Sequence, residues 1–130
     1  MEPIKRVLVT EAARRVIDAL RSRHGHLMFV QSGGCCDGSA PMCYKQGTFR
    51  IGSRDVKLGE IHGCPFYISG AQFEAWKHTQ LIVDVVEGRG ASFSLEIPLG
   101  VRFIIRSRPF RTEEMIRLEP VEVGKSQSRP

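Results

Sequence analysis

Thiols are the groups of this chain best able to do chemistry, and they are clustered. Three of the four cysteines fall in one glycine-framed stretch, Gly33-Gly34-Cys35-Cys36-Asp37-Gly38-Ser39-Ala40-Pro41-Met42-Cys43, and the fourth follows in His62-Gly63-Cys64. Thiolates bind soft or borderline metals, attack electrophiles or form disulfides. Cysteine sulfur with imidazole nitrogen suits zinc, and all-thiolate sets suit iron–sulfur clusters. The clustering predicts a metal site from Cys35, Cys36, Cys43 and Cys64, with His62 as the alternative ligand. His62 and Cys64 are two residues apart, so on an extended backbone both would point to one side. The spacing is not the paired C-x-x-C of a zinc ribbon.

Two other chemistries fit the same stretch. Cys35 or Cys36, beside backbone N–H groups of a glycine-rich turn, could be a nucleophile, with a base drawn from His24, His26, His62 or His78. Such a thiol would act on an aldehyde or a thioester. The glycines could also cradle a phosphate, but G-x-x-x-x-G-K-[ST] is missing and no helix signal follows directly. Asp37 and Ser39 suit the turn itself. A third class of function, a non-catalytic interaction module, needs no chemistry from these residues.

Composition narrows the setting. The chain has 130 residues, 42% hydrophobic and 25% charged, with a net charge of +5. That is ordinary for a globular protein with one core. Arg102, Arg106, Arg108 and Arg111 come nearest to a basic patch but are not contiguous, so no nucleic-acid footprint is expected. No apolar run approaches the ~18 residues that span a bilayer, and the start lacks the apolar segment of a secretory signal. A reducing, cytoplasmic setting is expected, where clustered cysteines are metal-binding or catalytic more readily than disulfide-bonded. Adjacent Cys35 and Cys36 also make poor disulfide partners for each other.

The elements that must position these groups can be read locally. Thr10 is a plausible N-cap with Glu11 in the first turn. Ala13, Val16, Ile17 and Leu20 then recur at helical spacing, predicting a helix from Glu11 to about Arg23 that stops near Gly25. Leu27 to Gln31 reads as a strand that delivers the chain into the cysteine loop. Gly33, Gly34, Gly38, Pro41 and Gly47 argue against a regular element there. Thr48 to Ile51, Val56 to Ile61 and Pro65 to Ile68 read as strands. Ser69 with Gln72 resembles a capping box opening a short helix through Trp76. Leu81 to Glu87 is apolar on both faces and reads as a central strand. Phe93 to Ile97 and Val101 to Ile105, split by Pro98 and Gly100, read as two more. Phe66, Phe73 and Trp76 are expected in the core. The sum is an α+β fold with a mostly antiparallel sheet and one long N-terminal helix. Residues 1–118 are expected to form one globular domain, with 119–130 as a mobile tail.

Two resemblances follow from these residues. The run from Val30-Gln31-Ser32 through Cys43, with Phe66-Tyr67-Ile68 and Gln72-Phe73-Glu74 further on, resembles the uncharacterised bacterial family called domain of unknown function 779, from about Val7 to Phe110. Genes of that family often lie beside aldehyde dehydrogenase genes, which implies an accessory role near aldehyde metabolism and an aldehyde dehydrogenase as partner. More distantly, a helix, a strand and then Gly34-Cys35 in a glycine-rich loop is similar to the A-type iron–sulfur carriers with the HesB-like fold. Cys35 or Cys36 would match their first cysteine. Those carriers end in a Cys-x-Cys pair, and this chain has no cysteine after Cys64.

Overall fold

The structure is a computed structural model that describes residues 4–31, 41–47, 55–88, 94–118 and 122–123. Strand β1 (Val7–Val9) leads into helix α1 (Glu11–His24), followed by β2 (Leu27–Gln31), β3 (Met42–Lys45), β4 (Asp55–Ile61) and β5 (Cys64–Ser69). Then come α2 (Gly70–Trp76), β6 (Thr79–Glu87), a 3-10 turn at Ile97–Leu99, β7 (Val101–Pro109), α3 (Thr112–Met115) and β8 (Glu122–Val123).

Helix α1 forms where its signals lie. The Thr10 hydroxyl accepts the Ala13 N–H at 3.2 Å, which satisfies one of the free donors of the first turn. Gly25, with φ of 82°, ends the helix and returns its N–H to the Arg21 carbonyl. Ala13, Ile17 and Leu20 are buried on the inner face, and the arginines at 14, 15 and 23 are exposed. The N-terminus is also bolted to the sheet, because the Thr10 hydroxyl donates to Asp84 of β6 at 2.8 Å. Helix α2 opens as its capping signal predicts, with the Ser69 hydroxyl accepting the Gln72 N–H at 3.2 Å.

The strands form two sheets, in the orders β1-β6-β7 and β3-β2-β5-β4-β8. Both are mixed, which corrects the expectation of a mostly antiparallel sheet. Parallel pairing joins β1 to β6, with Val7 opposite Leu81, and β2 to β5, with Phe29 opposite Phe66. Parallel neighbours must be joined by long crossovers, and local alternation carries no trace of them. Strand β6 is central in its sheet, as its apolar faces predict.

One core joins the layers. The Phe29 ring stacks near Phe66, at 6.3 Å between centroids, and meets Phe103 of the other sheet edge-on at 4.9 Å and 87°. Ile17 and Leu20 of α1, Ile61 and Ile68 of the larger sheet, and Leu81 and Ile105 of the smaller sheet close around them. Phe73 packs against this cluster from its edge. The Trp76 side chain lies outside the described part.

Two local expectations change. Met42–Lys45 is a strand although it closes the glycine-rich stretch, because β2 offers it an antiparallel edge with Phe29 opposite Cys43. Residues 94–96 form no strand; they turn into the 3-10 segment containing Pro98, since proline has no N–H to give a ladder. Thr48 to Ile51 and Phe93 lie outside the described residues. Of the segment from 119 onward, Glu122–Val123 pairs with β4 and the rest lies outside them.

Candidate functional site

Cys43 and Cys64 reach one buried layer by strand pairing. Cys43 sits opposite Phe29, and Phe29 sits opposite Phe66. Cys64 precedes Phe66 by two residues, so strand alternation puts all four on the same face of the sheet. That face packs on Phe103 of the other sheet. Both cysteines are free thiols with 0% exposure. Two strand spacings of about 4.8 Å and two residues of about 3.3 Å rise separate their Cα atoms by roughly 12 Å. They feel each other's charge, but sulfurs sharing one zinc at about 2.3 Å each must come much closer.

A carboxyl group joins them. The turn at 94–96 is tied to β3 on both sides of the peptide at Cys43: the Cys43 N–H donates to the Ser94 hydroxyl at 2.8 Å, and the Leu95 N–H donates to the Cys43 carbonyl at 3.0 Å. The Ser94 hydroxyl in turn donates to Glu96 Oε1. Glu96 has 0% exposure, and among the described residues its Oε2 has no hydrogen-bond partner. Burial pushes the Glu96 carboxyl upward, against the Ser94 hydroxyl and the backbone N–H groups of Glu96 and Phe103. Burial also pushes the Cys43 thiol far up, and the charges of Glu96 and Cys64 add to this. Cys64 is raised by burial too, with the Arg21 guanidinium opposing. In the protein as it stands, both thiols are therefore held protonated.

His62 stands elsewhere in chemistry, though close in sequence. Ile61 pairs with Cys64, so His62 and Gly63 are the two central residues of the β4–β5 hairpin, with φ of 49° and 81°. Positive φ at both is what a type I′ turn requires. The backbone at His62 is therefore not extended, so strand alternation does not set its direction relative to Cys64; both side chains reach the same turn of α1, His62 at Asp18 and Cys64 beside Arg21. The imidazole Nε2 pairs with Asp18 Oδ1 on α1 at 2.8 Å. That contact, ahead of Arg21, draws the Asp18 carboxyl down. Arg21 closes the cluster, donating to the His62 carbonyl at 2.7 Å and lying 3.7 Å from the Cys64 sulfur.

Cys35 and Cys36 lie outside the described residues, as do Gly33, Gly34, Asp37, Gly38 and Ser39. Among the described residues, no three His, Cys, Asp or Glu side chains are grouped to hold a metal ion. His26 and His78 are exposed, and His24 ends α1. Ser94 and Glu96 were invisible as site residues because Phe93 to Ile97 alternates like a strand. The available signal was a single acid among apolar neighbours just before Pro98. A separate open cavity of about 430 Å³ lies along β1 and the β4–β5 turn, with Lys5, Arg14, Glu60 and His62 in its wall. No described helix is long and apolar enough to cross a membrane.

Neither a curated protein nor a solved structure matches the chain. The family described as domain of unknown function (DUF779) matches residues 16–109, from within α1 to the end of β7, and this stretch contains all four cysteines, Ser94 and Glu96. By that match, over more than half of its length, the chain belongs to the DUF779 family.

Proposed function

We propose that this protein is a small cytoplasmic metal- or iron–sulfur-binding accessory protein, with Cys43 as its fixed ligand and Cys35 and Cys36 as the ligands nearest to it in sequence. The observation that carries this reading is the setting of Cys43. It is a free thiol, fully enclosed, on the same sheet face as a second free thiol and tied through Ser94 to a buried carboxyl group. Negative charge on Glu96 or Cys64 makes charge on Cys43 more costly, and a bound cation reverses that sign. Thiol and carboxyl donors together fit zinc, and thiols alone fit an iron–sulfur cluster. When bound, the metal would supply a fixed positive centre or a redox group. The chain's own part is to release the thiol protons and hold the sulfurs in place.

Cys64, two strands from Cys43, and His62, engaged by Asp18, are the reserve ligands. Kinship to the HesB-like carriers belongs to the same proposal, with a different ligand set because no Cys-x-Cys pair follows Cys64. Service to aldehyde metabolism, and an aldehyde dehydrogenase partner, rest only on what the family resemblance implies.

The test is elemental analysis of protein purified anaerobically without a metal-affinity column, with its visible spectrum. Near-stoichiometric zinc, or iron with sulfide and a brown colour, supports the reading and separates its two forms. Metal-free protein that also takes up no zinc or reconstituted cluster ends it.

A further inference from the structure

We propose that Glu96 is the carboxylate ligand of a divalent-cation site that it shares with Cys43. The inference rests on the metal-binding reading above and names its non-cysteine donor. A glutamate with 0% exposure is unusual, because removing a carboxyl group from water is costly unless its oxygens are paired. Oε1 accepts the Ser94 hydroxyl, whereas Oε2 is enclosed and, among the described residues, has no hydrogen-bond partner. The backbone N–H groups of Glu96 and Phe103 also favour the charged form, but neither meets Oε2 as a hydrogen bond.

The placement of this carboxyl is held by the backbone of the candidate ligand itself. The Ser94 hydroxyl that donates to Glu96 accepts the Cys43 N–H at 2.8 Å, and the neighbouring Leu95 N–H grips the Cys43 carbonyl at 3.0 Å. Carboxyl and thiol are thus registered to one peptide unit from two distant parts of the chain. Ser94 is the positioning residue: it orients the carboxylate by hydrogen bonding to the oxygen that does not bind the cation, as outer-shell groups do. Sulfur and oxygen donors together select a borderline ion such as zinc over magnesium or calcium, which take oxygen alone. Binding would release the Cys43 proton, and the Glu96 proton where one is present, to solvent.

Cobalt(II), a spectroscopic stand-in for zinc, provides the test on chelator-stripped full-length protein. Wild type is expected to show a sulfur-to-cobalt charge-transfer band and visible ligand-field bands. Glu96→Gln should keep the charge-transfer band, shift the ligand-field bands and weaken cobalt binding about tenfold or more. A cooperative metal-free melting transition should show that the variant is folded. Ser94→Ala should weaken binding without removing either band. If Glu96→Gln fails to fold, Glu96→Asp, one methylene shorter, should show the same band shift and loss of affinity. Glu96→Gln that binds cobalt with wild-type affinity and spectrum overturns this inference and leaves the thiolate site standing. Wild type that binds no cobalt overturns this inference and the zinc form of the metal reading, and leaves the iron–sulfur form to the cluster reconstitution described above.

Discussion

Phe29 is where the two sheets share a core, and replacing it measures that directly. The ring is fully buried on β2, contacts Phe66 within its own sheet, and meets Phe103 across the sheets at 4.9 Å. Phe29→Ala removes a ring that neighbours in both sheets cannot easily collapse to fill, so the expected loss is about 3–5 kcal/mol. Unfolding entropy for 130 residues is roughly 0.27 kcal/mol/K, so the melting temperature should fall by about 11–18 °C. Calorimetry or denaturant titration would read this on metal-free protein. Ile116→Ala, at a position 82% exposed, is the control and should change stability by less than about 0.5 kcal/mol. A double-mutant cycle of Phe29→Leu with Phe103→Leu should return a coupling of about 0.5–1.5 kcal/mol for the edge-on pair. A loss below about 1.5 kcal/mol in Phe29→Ala, or no coupling in the cycle, would refute the claim that these rings join the layers.

Two further outcomes are expected. Glu114 receives two bonds from Arg108, at 3.0 and 2.9 Å, and one from the Arg111 N–H, which together hold its carboxyl down to about 2 from an ordinary 4.5. A depressed acid stabilises the fold fully above its ordinary value and loses that contribution as pH falls toward 2, so Glu114→Gln should flatten this part of the acid-unfolding curve; parallel curves for variant and wild type would count against the pair. Cys43 and Cys64, enclosed and protonated, should alkylate far more slowly in native protein near neutral pH than in urea, with Phe29→Ala accelerating Cys43. Peptide mass spectrometry resolves the two sites, and native labelling of either at the urea rate would contradict its burial.

Local rules made several elements legible. The boundaries of α1 follow from a capping threonine, a repeating apolar face and a terminal glycine, all acting within a few residues. Strands β2 and β6 show through their apolar runs, β2 being buried on both faces and β6 central in its sheet. The same rules misread 94–96, whose alternation matches a strand, because nothing local reveals that the turn is gripped by β3. They also missed β3, whose partner edge is supplied by β2 across the glycine-rich stretch.

The candidate site divides along the same line. By itself the sequence determined which chemistry is available: four thiols, three of them in one glycine-rich stretch, and an amphipathic helix leading up to them. It also carried enough of the family's pattern for that resemblance to be seen. Only the tertiary structure decided which groups meet. It set Cys43 and Cys64 on one face across β2, paired His62 with Asp18, and brought in Glu96 from a turn far along the chain. The reason is physical. Helix caps and apolar periods are short-range and leave local marks, whereas strand order, parallel pairing and the burial of a single carboxyl are settled by which surfaces close on one core.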